Sequence, residues 1–193
     1  MTTSAHAHDS SQRFIFENAD IRGELVRLNK AYIDTVHGKN YPEVVARLLG
    51  EFLAASVLLS TTIKFDGRLV LQVRSKGEVA LMMAECTSNG EVRGIARYDV
   101  VPTSSEFTEL LRDGTLVITI DTRKGEPYQG VVALEGNSLA ECLHEYFRQS
   151  EQLGTQFTIA TNRDGVAAML LQQLPAQLHT DPEVRAQHWE HFS

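Results

Sequence analysis

The chain has 193 residues, 42% apolar and 22% charged, with 18 basic side chains against 25 acidic ones and a formal net charge of −7 with histidines neutral. That length is enough for one domain with a real hydrophobic core, or one domain with an appendage. An acidic chain lacks the cationic footprint that phosphate contacts need, which excludes nucleic acid as an expected partner, and apolar residues spread along the whole sequence exclude disorder as its main state.

Residues 1–12, MTTSAHAHDSSQ, have neither a cationic start nor an apolar stretch, and read as a disordered tail, not a signal peptide. RFIF (13–16) and IRGELVRLN (21–29) read as two strands broken by the polar turn 17–20. A short helix over 31–36 stops at 37–40, and Pro42 opens the longest helix, 42–62, from the first helical position. Val45, Leu48, Leu49, Phe52, Ser56 and Leu59 follow helical spacing there, and Leu53, Val57 and Leu58 widen the stripe. Only its first half is charged, through Glu43, Arg47 and Glu51, so the helix is expected to pack against sheet on more than one side. The longest uncharged apolar run, 52–59, falls short of the roughly 20 residues that span a bilayer, so no membrane partner is expected.

From Phe65 the apolar period changes from helical to alternating. RLVLQVR, VALMMAECT and EVRGIARYD read as three strands joined by turns at 66–67, 75–77 and 88–90, each with a glycine for a positive φ. A short amphipathic segment at 105–112 precedes a fourth and a fifth strand, TLVITIDT (115–122) and PYQGVVALE (127–135). Asn137 or Ser138 caps a helix over 139–151 that carries Leu139, Leu143, Tyr146 and Phe147 on one face. QFTIAT (156–161) and GVAAMLLQQL (165–174) form another hairpin. The expected fold is α+β, with antiparallel β-sheets packed on a long buried helix and a second amphipathic helix. Gly23, Gly94 and Gly130 each stand third in a strand triplet, which implies close packing over each. The last helix begins near Pro182 and carries Val184, Trp189 and Phe192, then stops at Ser193 in mid-course, which reads as a cut.

Catalytic signatures are missing: there is no GxGxxG, phosphate loop, GxSxG or HExxH, so an enzyme is not expected. Cys142 and His144 stand two apart on a helix and face different ways. His188 and His191 share a helix face without a third ligand. Cys86 and Cys142 belong to no CxxC or CxC pair, and read as small buried hydrophobes in a reducing, cytoplasmic compartment. The sheet composition is the unusual feature. Both alternating sets of VALMMAECT are apolar or small, and TLVITIDT and YQGVVALE behave alike. Such a sheet is covered on both sides within its own domain, or keeps one face for a partner.

FIFENADIRGELVRL, LLSTTIKFDGRLVLQ, VRGIAR, GTLVITI, YQGVVALEG, EYFRQSEQLGT and AMLLQQLPAQ resemble, in order, the redox-regulated holdase of the 33-kilodalton heat-shock chaperone family, over about 13–193. The resemblance implies an N-terminal α+β chaperone domain, a helical linker and a C-terminal zinc domain with CxC and CxxC motifs. Oxidation in that family releases the zinc, unfolds the linker and exposes an apolar surface that holds unfolding clients without ATP. Both zinc motifs are absent here, so the expected organisation is a chaperone domain over 13–178 and the start of a linker arm over 179–193, with no cofactor in this chain and no metal or redox role for its two cysteines. Expected partners are unfolded client proteins, with Met82, Ile95, Val117 and Val131 as candidate platform residues on the face opposite the helix-covered core. Trp189 and Phe192 are too large and apolar to stand in water. They fold back or pack on a second copy, and the expectation is a homodimer with the arm after about Pro175 placed across the interface. The rival readings are a dimeric interaction module that binds no clients, and an enzyme of unidentified class.

Overall fold

In the computed structural model, which describes residues 8–192 apart from Lys124, Glu151 and Gln152, the chain runs through nine strands and five helices among the described residues. In order these are β1 (Ser10–Ile15), β2 (Ile21–Leu28), α1 (Lys30–His37), α2 (Glu43–Thr62), β3 (Gly67–Arg74), β4 (Leu81–Thr87), β5 (Val92–Arg97), α3 (Phe107–Leu110), β6 (Thr115–Thr122), β7 (Tyr128–Ala133), α4 (Leu139–Ser150), β8 (Thr155–Thr161), β9 (Val166–Gln173) and α5 (Pro182–Phe192). Residues 1–7 of the expected tail lie outside the described residues. From Ser10 the chain is already strand, and Asp9 accepts the backbone N–H of Asn29 at 2.7 Å and of Ala31 at 2.9 Å at the start of α1. Residues 9–12 of the expected tail are therefore part of the folded chain. Pro42 stands at the N-cap of α2, one place before the first helical position expected for it.

The strands form two antiparallel sheets, one ordered β1-β2-β9-β8 and the other β5-β4-β3-β6-β7. Helix α2 lies between them, against β2, β8 and β9 on one side and β3, β4 and β5 on the other, while α4 packs on β7 and β8 beside it. This is why α2 is apolar nearly all round: Leu49, Phe52, Leu53, Ala54, Ala55 and Leu58 are fully buried, and over that stretch only Glu51 is partly exposed. Each large side chain enclosed this way contributes about 2 kcal/mol relative to exposure. Ser56, buried among them, donates to the Leu53 carbonyl at 2.7 Å, so no hydroxyl is left unpaired there. By length and composition α2 would also be long and apolar enough to cross a membrane, but here it is the middle layer of three.

The strand glycines mark close approaches, between layers at Gly94 and Gly130 and between neighbouring strands at Gly23. A Cβ on Gly94 of β5 would lie 2.9 Å from Leu49 and 3.1 Å from Leu53 of α2, one on Gly130 would meet the Tyr146 hydroxyl, and one on Gly23 would meet the Phe14 ring. Gly77 differs from the expectation. Among the turn glycines Gly67 and Gly90 have positive φ and Gly77 does not. Gly77 is required because its Cβ position is taken by the backbone at Glu109, Leu110 and Arg112.

The C-terminal segment is held by Asp20, in the turn before β2. Its carboxylate accepts the backbone N–H groups of Gln177, Leu178 and His179 at 3.1 to 3.2 Å and pairs with Arg185 of α5 at 2.9 Å. Burial opposes ionisation of Asp20, but these backbone donors and the guanidinium outweigh it and hold the carboxyl below its ordinary range.

Glu51 is the opposite case. It sits on the flank of α2 at a cleft of about 510 Å³ shared with Ser105, Phe107 and Asn137. Burial pushes its carboxyl up to about 7, countered only in part by Arg47 one turn earlier. The folded chain therefore binds a proton that the unfolded chain releases, and stability falls as pH rises from about 4.5 to about 7. Glu51→Gln should flatten that fall and stabilise the chain at pH 8 by up to about 3 kcal/mol, read from urea midpoints at pH 5 and pH 8.

Candidate functional site

Since α2 and α4 cover the inner faces of both sheets, any site for a large partner has to lie outside. The outer face of the four-stranded sheet is partly closed: Ile21 and Leu171 are buried there, the Phe14 ring lies over Gly23, and α5 packs at its end. The outer face of the five-stranded sheet has no element packed over it among the described residues.

The register of that sheet builds the open face row by row. Ile95 pairs with Met83, Met83 with Gln72, Gln72 with Val117 and Val117 with Val131, so one transverse row crosses all five strands. At the usual interstrand spacing this row is about 19 Å long. It is apolar at four of its five positions, and Val131, on the edge strand β7, is 64% exposed. One row away, Leu81 stands between Arg97 and Arg74. On the other side Glu85 is buried beneath an ionic network, with Arg93 at 2.9 Å and Arg68 at 3.7 Å, and Arg68 also reaches Asp121 at 2.8 Å.

Three of the four expected platform residues, Ile95, Val117 and Val131, share the apolar row. Met82 does not. It is fully buried on the inner face under α2, opposite Val73 and Ala96, and Met83 takes the outer position. The physical reason is the alternation of the strand: both sets of side chains in β4 are apolar, so hydrophobicity leaves the choice of face undecided. A signal did exist in the charges. Glu85 has the parity of Leu81 and Met83, and the arginines of that face pair with this set, Arg93 with Glu85, and Arg97 on β5 and Arg74 on β3 with Leu81. Sequence reasoning also missed Leu81.

Trp189 and Phe192 of α5 find cover within the chain. Phe192 stacks on Phe16 with ring centroids 4.2 Å apart, and Trp189 lies against Gly154. These aromatics do not by themselves require a second copy. The rings of His188 and His191 take different neighbours, His179 at 4.8 Å and Phe192 at 4.9 Å.

A cleft of about 900 Å³ lies between β7, α4 and β8 and is lined by Cys142, His144 and Glu145 among others. Hydrogen bonds from Arg148 and Gln149 hold the Glu145 carboxyl down to about 2, and burial pushes the Cys142 thiol up. Neither group is poised as an acid, base or nucleophile near neutral pH. Cys86, on the inner face of β4, is likewise pushed up by burial, with a 3.2 Å contact to Ser60 in partial opposition. Among the described residues no three His, Cys, Asp or Glu side chains converge to hold a metal, so the zinc implied by the resemblance does not fit the described residues.

A family model described as Hsp33 protein matches residues 9–193. The chain is 51% identical over 185 residues to the 33 kDa chaperonin of Pseudomonas syringae pv. tomato, covering 95% of this chain and 62% of the relative. It is 50% identical over 186 residues to the 33 kDa chaperonin of Azotobacter vinelandii, covering 95% of this chain and 63% of the relative. Among solved structures, the 33 kDa chaperonin of Thermotoga maritima superposes with a TM-score of 0.74 at 20% identity, over 94% of this chain and 66% of that one, which shows a shared fold. The chain thus spans a little under two thirds of the length of the curated relatives it matches.

The two methionines of β4 separate the faces by experiment. Met82→Asp should cost at least about 3 kcal/mol or prevent folding, because it places a charge under α2. Met83→Asp, at the partly exposed outer position, should stay within about 1 kcal/mol of the parent in urea unfolding.

Proposed function

The chain belongs to the Hsp33 family, and we propose that it holds unfolding proteins, without nucleotide, on the outer face of its five-stranded sheet. The observation that carries this reading is the uncovered row Ile95, Met83, Val117 and Val131 on a sheet whose other face is already packed against α2. Apolar side chains so arranged offer an unfolding chain a place for its own apolar residues, and removal of that area from water supplies the attraction. Met83 adds a flexible, polarisable side chain that adapts to different sequences. No bond is made or broken, so the proposal needs no catalytic group, and the relatives' name of chaperonin supports it. The cytoplasm is the proposed setting.

In this reading, redox control and its zinc belong to residues other than those described here. Cys86 and Cys142 are both buried, with thiols raised by desolvation, which keeps them protonated and slow to react with peroxide.

The 193-residue chain should suppress light scattering from a heat-unfolded enzyme at a several-fold molar excess with no nucleotide present. Val117→Asp combined with Met83→Asp should remove most of that suppression while the variant still unfolds cooperatively. An unaltered parent that gives no suppression would leave the face as a contact surface of another kind, as a plain interaction module would have. The suppression should also be the same after peroxide as after reductant. Activation by peroxide would assign Cys86 or Cys142 a redox role that their burial argues against.

A further inference from the structure

The charges that border the apolar row are not balanced. Within its paired strands the outer face of the five-stranded sheet carries four arginines, Arg68, Arg74, Arg93 and Arg97, against two carboxylates, Glu85 and Asp121, although the chain as a whole has a net charge of −7. Glu85 and Asp121 are already engaged by Arg68 and Arg93 at one end of the face. At the other end Arg74 and Arg97 are exposed and in no ion pair among the described residues. They flank Leu81 in the row next to Met83 and Ile95, two strands apart and so about 10 Å from one another.

We infer that this face selects among apolar client segments by charge, and that its occupant is an extended polypeptide segment whose apolar centre lies on the Ile95–Met83–Val117 row and whose acidic flank pairs with Arg74 and Arg97. The inference rests on the client-binding reading above and adds the class of segment. A basic flank meets two unpaired guanidinium groups beside an apolar surface and is repelled, whereas an acidic flank gains two charge-assisted contacts. A second copy of the chain is a poorer occupant, since a two-fold pairing of this face would bring its own arginine excess against itself.

The test uses three fluorescent 12-residue peptides with the same apolar centre and aspartate, serine or lysine flanks, titrated with the 193-residue chain and followed by anisotropy. At low salt the aspartate peptide should bind about five- to tenfold tighter than the lysine peptide, with serine between, and the spread should close as salt is raised. Arg74→Glu with Arg97→Glu should reverse the order, and the salt series on the parent chain decides the matter even if that variant folds poorly. Equal binding of all three at low salt overturns the charge selection and leaves client binding standing. No binding of any peptide overturns both. A doubled mass at micromolar concentration that Met83→Asp with Val117→Asp abolishes, with no peptide bound by the parent chain, assigns the face to a second copy and overturns this inference.

Discussion

A helix without a polar side can be stable only if something covers it all round, and apart from Glu51 on its flank α2 is such a helix from Leu48 to Leu59. One sheet covers one stripe of a helix. The second sheet is therefore a requirement of α2 and not an elaboration of the fold, and with α4 it closes the remaining gap. That arrangement uses the inner face of each sheet and leaves the outer ones to be dealt with separately. On the four-stranded sheet Phe14, Phe16 and α5 provide partial cover. On the five-stranded sheet nothing comparable is present among the described residues, and the side chains there are a compromise between apolar and charged character. The exposed surface follows from how the core is enclosed.

The same demand accounts for the small residues at the closest approaches. Gly94 lets β5 come down on Leu49 and Leu53, and Gly130 leaves room for the Tyr146 hydroxyl. These are packing positions, and the triplet pattern they share in the sequence needs no duplication of an ancestral unit to explain it. Asp20 serves the periphery in a comparable way: one carboxylate gathers three backbone donors and an arginine from residues 177–185.

Most elements were legible from local pattern. The change from helical to alternating period at Phe65 marks the passage from α2 to the five-stranded sheet, and the double-sided burial of α2 was readable from its lack of a polar face. The site was legible in its strands but not wholly in its faces. Ile95, Val117 and Val131 came out together, whereas Met82 and Met83 were exchanged, because an alternating strand with two apolar sets carries no hydrophobic signal for its own orientation. Cross-strand partners decide that orientation, and they lie up to about fifty residues away along the chain, as Arg68 and Asp121 do. The cover found by Trp189 and Phe192 was illegible for a similar reason, since their partners Gly154 and Phe16 belong to other parts of the fold.

The pairing of β2 with β9 joins residues 21–28 to 166–173, the two ends of the domain. The β1–β2 hairpin precedes α2 in the chain, and the five-stranded sheet that covers one side of α2 follows it directly. The other side has to wait until the β8–β9 hairpin leaves the ribosome, more than a hundred residues later. Over that interval the nascent chain exposes a greasy helix and an unpaired strand edge, the features that lead incomplete proteins to aggregate.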